Sequence, residues 1–137
     1  MTTTQKDTAQ DGARNGAQAP TKVNIAEKLA GFTERWAPRR IARVNDYEVK
    51  AVRIQGEFVW HSHEETDEMF LVVRGSLTIR LRDGEVVLHP GELYVVPRGV
   101  EHLPVAAEEA EVLLFEPAGT PNTGDRGGDR TREPVDA

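Results

Sequence analysis

The sequence predicts an all-β domain, a sandwich or barrel, with one short helix ahead of it. Three observations lead there. Short apolar and β-branched runs recur between Gly, Pro, Asn and Asp turns from Arg39 to Phe115. Several of these runs alternate with a period of two, Leu77, Ile79 and Leu81 most cleanly. The residues that bear chemistry, His61, His63, Glu68 and His102, are spread over several strands. They converge only if one face of every strand turns inward, as in a barrel.

Residues 1–22 contain almost no large apolar side chain and are expected to be a disordered tail. Asn24 and Glu27 then have the spacing of a capping box. Ile25, Leu29 and Phe32 share one helical face, which predicts a helix over about residues 24–31, ended by Gly31 and packed outside the strands. Trp36-Ala37-Pro38 is a connector, with Trp36 read as core packing rather than a binding platform.

Ile41 to Val44 is a short strand and Asn45-Asp46 a turn. Tyr47, Val49 and Ala51 alternate with Glu48 and Lys50. Gly56 marks a bend or bulge before Phe58-Val59-Trp60. Glu68 to Val73 is apolar on both faces, as a buried central strand is. Arg74-Gly75-Ser76 turns the chain into Leu77–Arg82, and Asp83-Gly84 is a hairpin signal leading to Glu85–Leu88. His89 to Glu92 and Pro97 to Gly99 are turns around Leu93–Val96. Val112 to Phe115 is the last strand the pattern supports. Beyond Pro117 the Gly, Asp, Arg, Thr and Pro of residues 118–137 predict a second disordered tail. The expected organisation is therefore one domain over residues 23–117.

Composition narrows the chemistry. The 137 residues include no Cys, so any metal is held by N and O ligands. That favours Mn, Fe, Co, Ni, Cu or Zn on imidazole and carboxylate. The ends nearly cancel, +1 over residues 1–22 and −1 over 118–137, so the net charge of −6 belongs to residues 23–117. An acidic domain without a basic stripe argues against nucleic acid and anionic membrane partners. No apolar run is long enough to span a bilayer, and residues 1–20 have no signal-like apolar core, so the expected location is the cytoplasm.

The stretch from His61 to Glu68 is the candidate site. His61 and His63, two apart on an extended chain, point to one face. Glu64 to Asp67 reads as a polar loop that returns Glu68 close to them. Two imidazoles and a carboxylate make a first-row metal site with open positions, and His102 is a fourth candidate ligand.

Gly56, His61-x-His63, Glu68 and Gly75 resemble the first motif of the cupin superfamily, with Gly56 one residue nearer His61 than is usual. Gly91, Pro97-x-Gly99 and His102 are similar to its second motif, although Ala106 stands where that motif closes on Asn. The resemblance covers about residues 40–117. It implies a small single-domain cupin, a double-stranded β-helix or jelly-roll barrel. It also implies one divalent transition metal ion (Mn, Fe, Ni, Cu or Zn) on His61, His63, Glu68 and His102, and a homodimer formed by pairing of outer strands. The superfamily includes dioxygenases, isomerases, lyases and sugar-binding modules, so fold alone does not choose among them.

Three functional readings remain at this point: a metal-dependent enzyme of dioxygenase, isomerase or lyase type acting on a small metabolite, a non-catalytic small-molecule or sugar-binding module, and a structural metal. An enzyme needs a further acid–base group, for which Tyr47, Tyr94, Glu57 and Arg98 are the nearby candidates. Arg98 is either a clamp for a substrate carboxylate or phosphate or a solvated turn residue. Glu64, Glu65 and Asp67 read as a solvated rim, His89 as an exposed turn residue, and Val59, Phe70 and Val72 as core or pocket wall.

Overall fold

The structure is a computed structural model that describes residues 21–137, so the expected N-terminal tail lies outside the described residues but for Thr21 and Lys22. Helix α1 spans Ile25–Ala30, with Asn24 Oδ1 accepting from Glu27 N–H at 3.0 Å and Gly31 at its end. The strands are β1 (Arg39–Val44), β2 (Tyr47–Glu57), β3 (Glu68–Arg74), β4 (Leu77–Leu81), β5 (Gly84–Leu88), β6 (Leu93–Val96), β7 (His102–Pro117) and β8 (Val135–Asp136).

β7 is the spine of the molecule. Its first residues pair with β4, its later ones with β3, and nearly its whole length with β2, all antiparallel. β5 extends from β4, and β6 from β3. The sheet therefore branches at β7 and wraps around an interior, the jelly-roll arrangement expected. Val52, Ile54, Phe70, Val72, Leu77, Ile79, Val112 and Leu114 fill that interior. A second cluster lies outside the sheet, where Leu29 of α1 and Phe32 just beyond it cover Ile41, Ala51 and Leu113. Arg53 of β2 fixes α1 there, donating to the carbonyls of Leu29 and Phe32 at 2.8 Å each. Gly56 sits at a register shift in the β2–β7 ladder, the bulge expected of it.

Three readings change. β7 begins at His102, ten residues before the run Val112–Phe115 that the pattern supports, because Ala106-Ala107-Glu108-Glu109-Ala110-Glu111 has the composition of a helix. Glu48 and Lys50 face the interior with Val52 and Ile54, while Val49 and Ala51 lie on the outer face with α1. Residues 118–137 are not a free tail but a strap folded back on the barrel. The β8 residues run parallel to Arg39 and Arg40 of β1, Arg40 binds Asp136 at 2.8 Å, and Ala137 N–H donates to the Arg40 carbonyl at 3.0 Å. The strap is held by backbone and charged groups rather than by apolar side chains, so no hydrophobic pattern announces it.

Candidate metal centre

His61 and His102 face each other across a small antiparallel bridge. His61 N–H donates to the His102 carbonyl at 3.1 Å, and His102 N–H to the His61 carbonyl at 2.9 Å. Each ring is aimed in the same way. Nδ1 of His61 lies 2.9 Å from the carbonyl of Val59, and Nδ1 of His102 lies 2.9 Å from that of Val100. A carbonyl only accepts, so Nδ1 carries the proton and Nε2 presents its lone pair to the site. His63 follows two residues after His61, and its carbonyl accepts from Gly99 N–H at 2.9 Å, which ties the ligand loop to the turn before His102. Glu68 opens β3 and enters the same space.

One ligand atom from each of His61, His63, Glu68 and His102 lies within 4.8 Å of the others, and all four residues are buried. Glu68 Oε1 is 3.1 Å from His63 Nε2 and 3.3 Å from His102 Nε2. Ligands about 2.1 Å from a metal stand about 3 Å apart when adjacent, so these spacings suit the edges of a coordination shell. His63 Nε2 is buried and makes no aligned hydrogen bond. A buried lone pair without a donor is costly unless a cation takes it. The group fits a divalent transition metal ion.

The electrostatics agree. Burial, and next the neighbouring His102, lowers His61 from its ordinary 6.5 to about 4, so its imidazole is neutral and free to ligate. Burial pushes Glu68 up, but the imidazoles of His102 and His63 outweigh it and hold the carboxylate well below its usual range. Behind Glu68 lies Glu116, whose carboxyl is raised well above its usual range by burial and by the charge of Glu68. Lys50 Nζ reaches Glu116 Oε2 at 3.0 Å and Glu48 Oε1 at 3.7 Å. Lys50, Glu48 and Glu116 thus form a buried polar group beside Glu68.

A narrow cavity of about 40 Å³ leads to the centre. Val52, Phe58, Phe70 and Leu114 form its walls, and His61 and Glu68 are its polar residues on the ligand side. Trp36, Pro38 and Asn122 also line it. Trp36 is thus part of the cavity as well as of the core. The strap meets the ligand loop on its outer side: Ser62 N–H donates to Asp125 Oδ1, and Asp125 N–H to the Ser62 carbonyl, both at 2.9 Å. A wider cleft outside the loop is lined by Glu64, Glu65 and Asp125.

The other candidates lie elsewhere. Tyr47 packs against Phe115, ring centres 5.0 Å apart and tilted by 34°, on the outer face. Glu57 pairs with Arg80, and Arg98 with Asp67, at exposed positions. Tyr94 packs against the interior cluster without lining the cavity, and His89 is exposed beside Ser76. Val72 is core, and Val59 serves through its carbonyl.

Comparison with known proteins places this geometry. Residues 50–116 match the family described as "Cupin domain". "Uncharacterized protein YdbB" of Bacillus subtilis (strain 168) is 33% identical over 103 residues, which cover 67% of this chain and 85% of that protein. A cupin-2 domain containing protein from Shewanella frigidimarina superposes with a TM-score of 0.69 at 48% identity, over 69% of this chain and 93% of that one. Hydroquinone 1,2-dioxygenase from Sphingomonas sp. TTNP3 superposes with a TM-score of 0.60 at 16% identity, over 84% of this chain and 77% of that one, a likeness of fold. With its branched barrel and its buried His61, His63, Glu68 and His102, the chain belongs to the cupin family.

Proposed function

We propose that this protein is a mononuclear metal-dependent enzyme of dioxygenase, isomerase or lyase type acting on a small metabolite, with the ion held by His61, His63, Glu68 and His102. One observation carries the reading: four buried N and O donors from the ligand loop, β3 and β7 converge beside a mostly apolar cavity. A bound divalent ion supplies Lewis acidity or redox chemistry there. The chain supplies the rest. Val59 and Val100 carbonyls orient two imidazoles, and the apolar walls keep water from the reacting end. The hydroquinone dioxygenase of similar fold acts on an aromatic diol, which supports an oxygenase role by fold analogy alone.

A second reading, a non-catalytic binding module, draws on a different observation. No acid–base side chain other than His61 and Glu68 lines the cavity among the described residues. Turnover of a bound metabolite by the metal-loaded protein separates the two readings.

The partner is a small molecule, and a second copy of the chain completes the assembly. Leu93 and Val95 of edge strand β6 stand exposed beside Met69 and Leu71 of β3 and next to Phe115 of β7, an apolar outer face that supports pairing of two copies.

The test of the site is elemental analysis of the untagged protein with His61→Ala, Glu68→Ala and His102→Ala variants. The expected result is near-stoichiometric metal in the parent and a loss of affinity above about 100-fold in each variant, since even the outer partners of ligands are worth 10–100-fold. Equal metal content in parent and variants rejects the site.

A further inference from the structure

Arg130, in the strap, has no carboxylate partner among the described residues, whereas Arg132 two residues on pairs with Glu34. Arg130 is half-buried. Its guanidinium lies 5.0 Å from the centre of the Phe58 ring and 5.8 Å from that of Trp36. Those two rings stack at 4.8 Å, and both line the cavity. Phe58 also touches His61 edge-on at 5.6 Å, so a single ring separates the guanidinium from a metal ligand.

The position is held firmly. Asn122 Nδ2 donates to the Arg130 carbonyl at 3.1 Å and reaches the Trp36 carbonyl at 3.5 Å. Asn122 Oδ1 accepts from Arg132 N–H at 2.9 Å. Trp36 itself has φ of 60°, a left-handed conformation costly for a bulky residue, and its N–H is fixed to the Arg53 carbonyl at 2.8 Å. The chain therefore holds an aromatic residue of the cavity wall in a strained conformation and sets a guanidinium without a carboxylate partner over it.

A guanidinium lying on aromatic faces loses water there but keeps its N–H donors in the ring-parallel plane. That fork matches a carboxylate. Beyond it the walls Val52, Phe70 and Leu114 are apolar, and the next polar groups are His61 and Glu68 at the inner end. We propose that Arg130 is the specificity-determining anion site of the barrel: it holds the carboxylate of a small aliphatic acid whose apolar body enters past Trp36 and Phe58 toward His61 and Glu68. A cavity of about 40 Å³ is well short of the roughly 150 Å³ that accepts benzene, which limits the body to a few carbons. The inference rests on reading the cavity as the ligand site.

The test titrates metal-loaded protein with butyrate and with uncharged butyramide by calorimetry. The parent is expected to prefer butyrate by about tenfold, the worth of one charge-assisted bond. Arg130→Gln is expected to reduce that preference to within about twofold at unchanged metal content and melting temperature, and Arg130→Lys to recover part of it. A preference that survives Arg130→Gln means that the metal, not Arg130, holds the carboxylate, and overturns the proposal. So does equal affinity, or no affinity, of the parent for the two probes. Metal-depleted His61→Ala protein separates this outcome from the metal reading, because an Arg130-dependent preference that persists there upholds the anion site whatever the fate of the metal.

Discussion

Lys50 is the one buried lysine or arginine among the described residues, and three carboxylates lie near it. It touches Glu116 and Glu48 directly, and Glu116 in turn neighbours Glu68. Removing one partner of a buried pair leaves an uncompensated charge in a medium that solvates it poorly. Lys50→Ala is therefore expected to cost roughly 3–5 kcal/mol in urea denaturation, whereas the double replacement Lys50→Met with Glu116→Gln is expected to fall close to the parent. Equal losses in the single and the double variant would show that the intact Lys50–Glu116 contact itself, not the avoidance of an uncompensated charge, stabilises the position. The inward direction of Lys50 was legible in the sequence, but only over a longer window. Within Tyr47–Ala51 both parities look plausible. Four more residues decide it, because Val52 and Ile54 share parity with Glu48 and Lys50, while Arg53 and Gln55 fall on the other face. A buried ion pair inverts the usual rule that the charged parity faces water.

Among the elements, the strap changes most between pattern and structure. The strands read well because hydrophobic alternation records which face is buried, and His61, His63, Glu68 and His102, which the structure brings together, stand out because metal chemistry demands those residue types on converging strands. The strap carries neither signal. Its contacts are single polar groups: Asp125 to Ser62, Asn122 to Trp36 and Arg130, and Thr123 to Thr131 at 2.5 Å. Gly124 is the place where it touches the site. Its φ is 56°, and a Cβ there would stand 3.0 Å from His61 Cδ2 and collide with the Ser62 carbonyl. Gly124→Ala is thus expected to lift the strap, exposing residues 118–137 to limited proteolysis while the unfolding free energy of the barrel from urea denaturation changes by less than about 1 kcal/mol. A strap as resistant as that of the parent would mean that β8 and the Arg40 contacts hold it without Gly124.

At the scale of the whole molecule, the outer face of the sheet is as informative as the interior. α1 covers only part of it, and Leu93 at 54% and Val95 at 44% exposure lie on edge strand β6, which pairs only with β3 among the described residues. An edge of that kind is a template for another strand. The parent is expected to sediment as a dimer and Val95→Asp as a monomer with unchanged metal content; a monomeric parent would sink the pairing. The interior makes a different demand, one of timing. β7 pairs with β2, β3 and β4, and it also brings His102 to the other three ligands. Every one of those partners precedes it in the chain. A nascent chain leaving the ribosome N-terminus first carries hairpins with no spine to join them until residue 117 has emerged, since non-local pairing waits for its last strand. The barrel and its candidate centre of His61, His63, Glu68 and His102 are thus completed by the same late event, and no shorter nascent fragment brings the four side chains together.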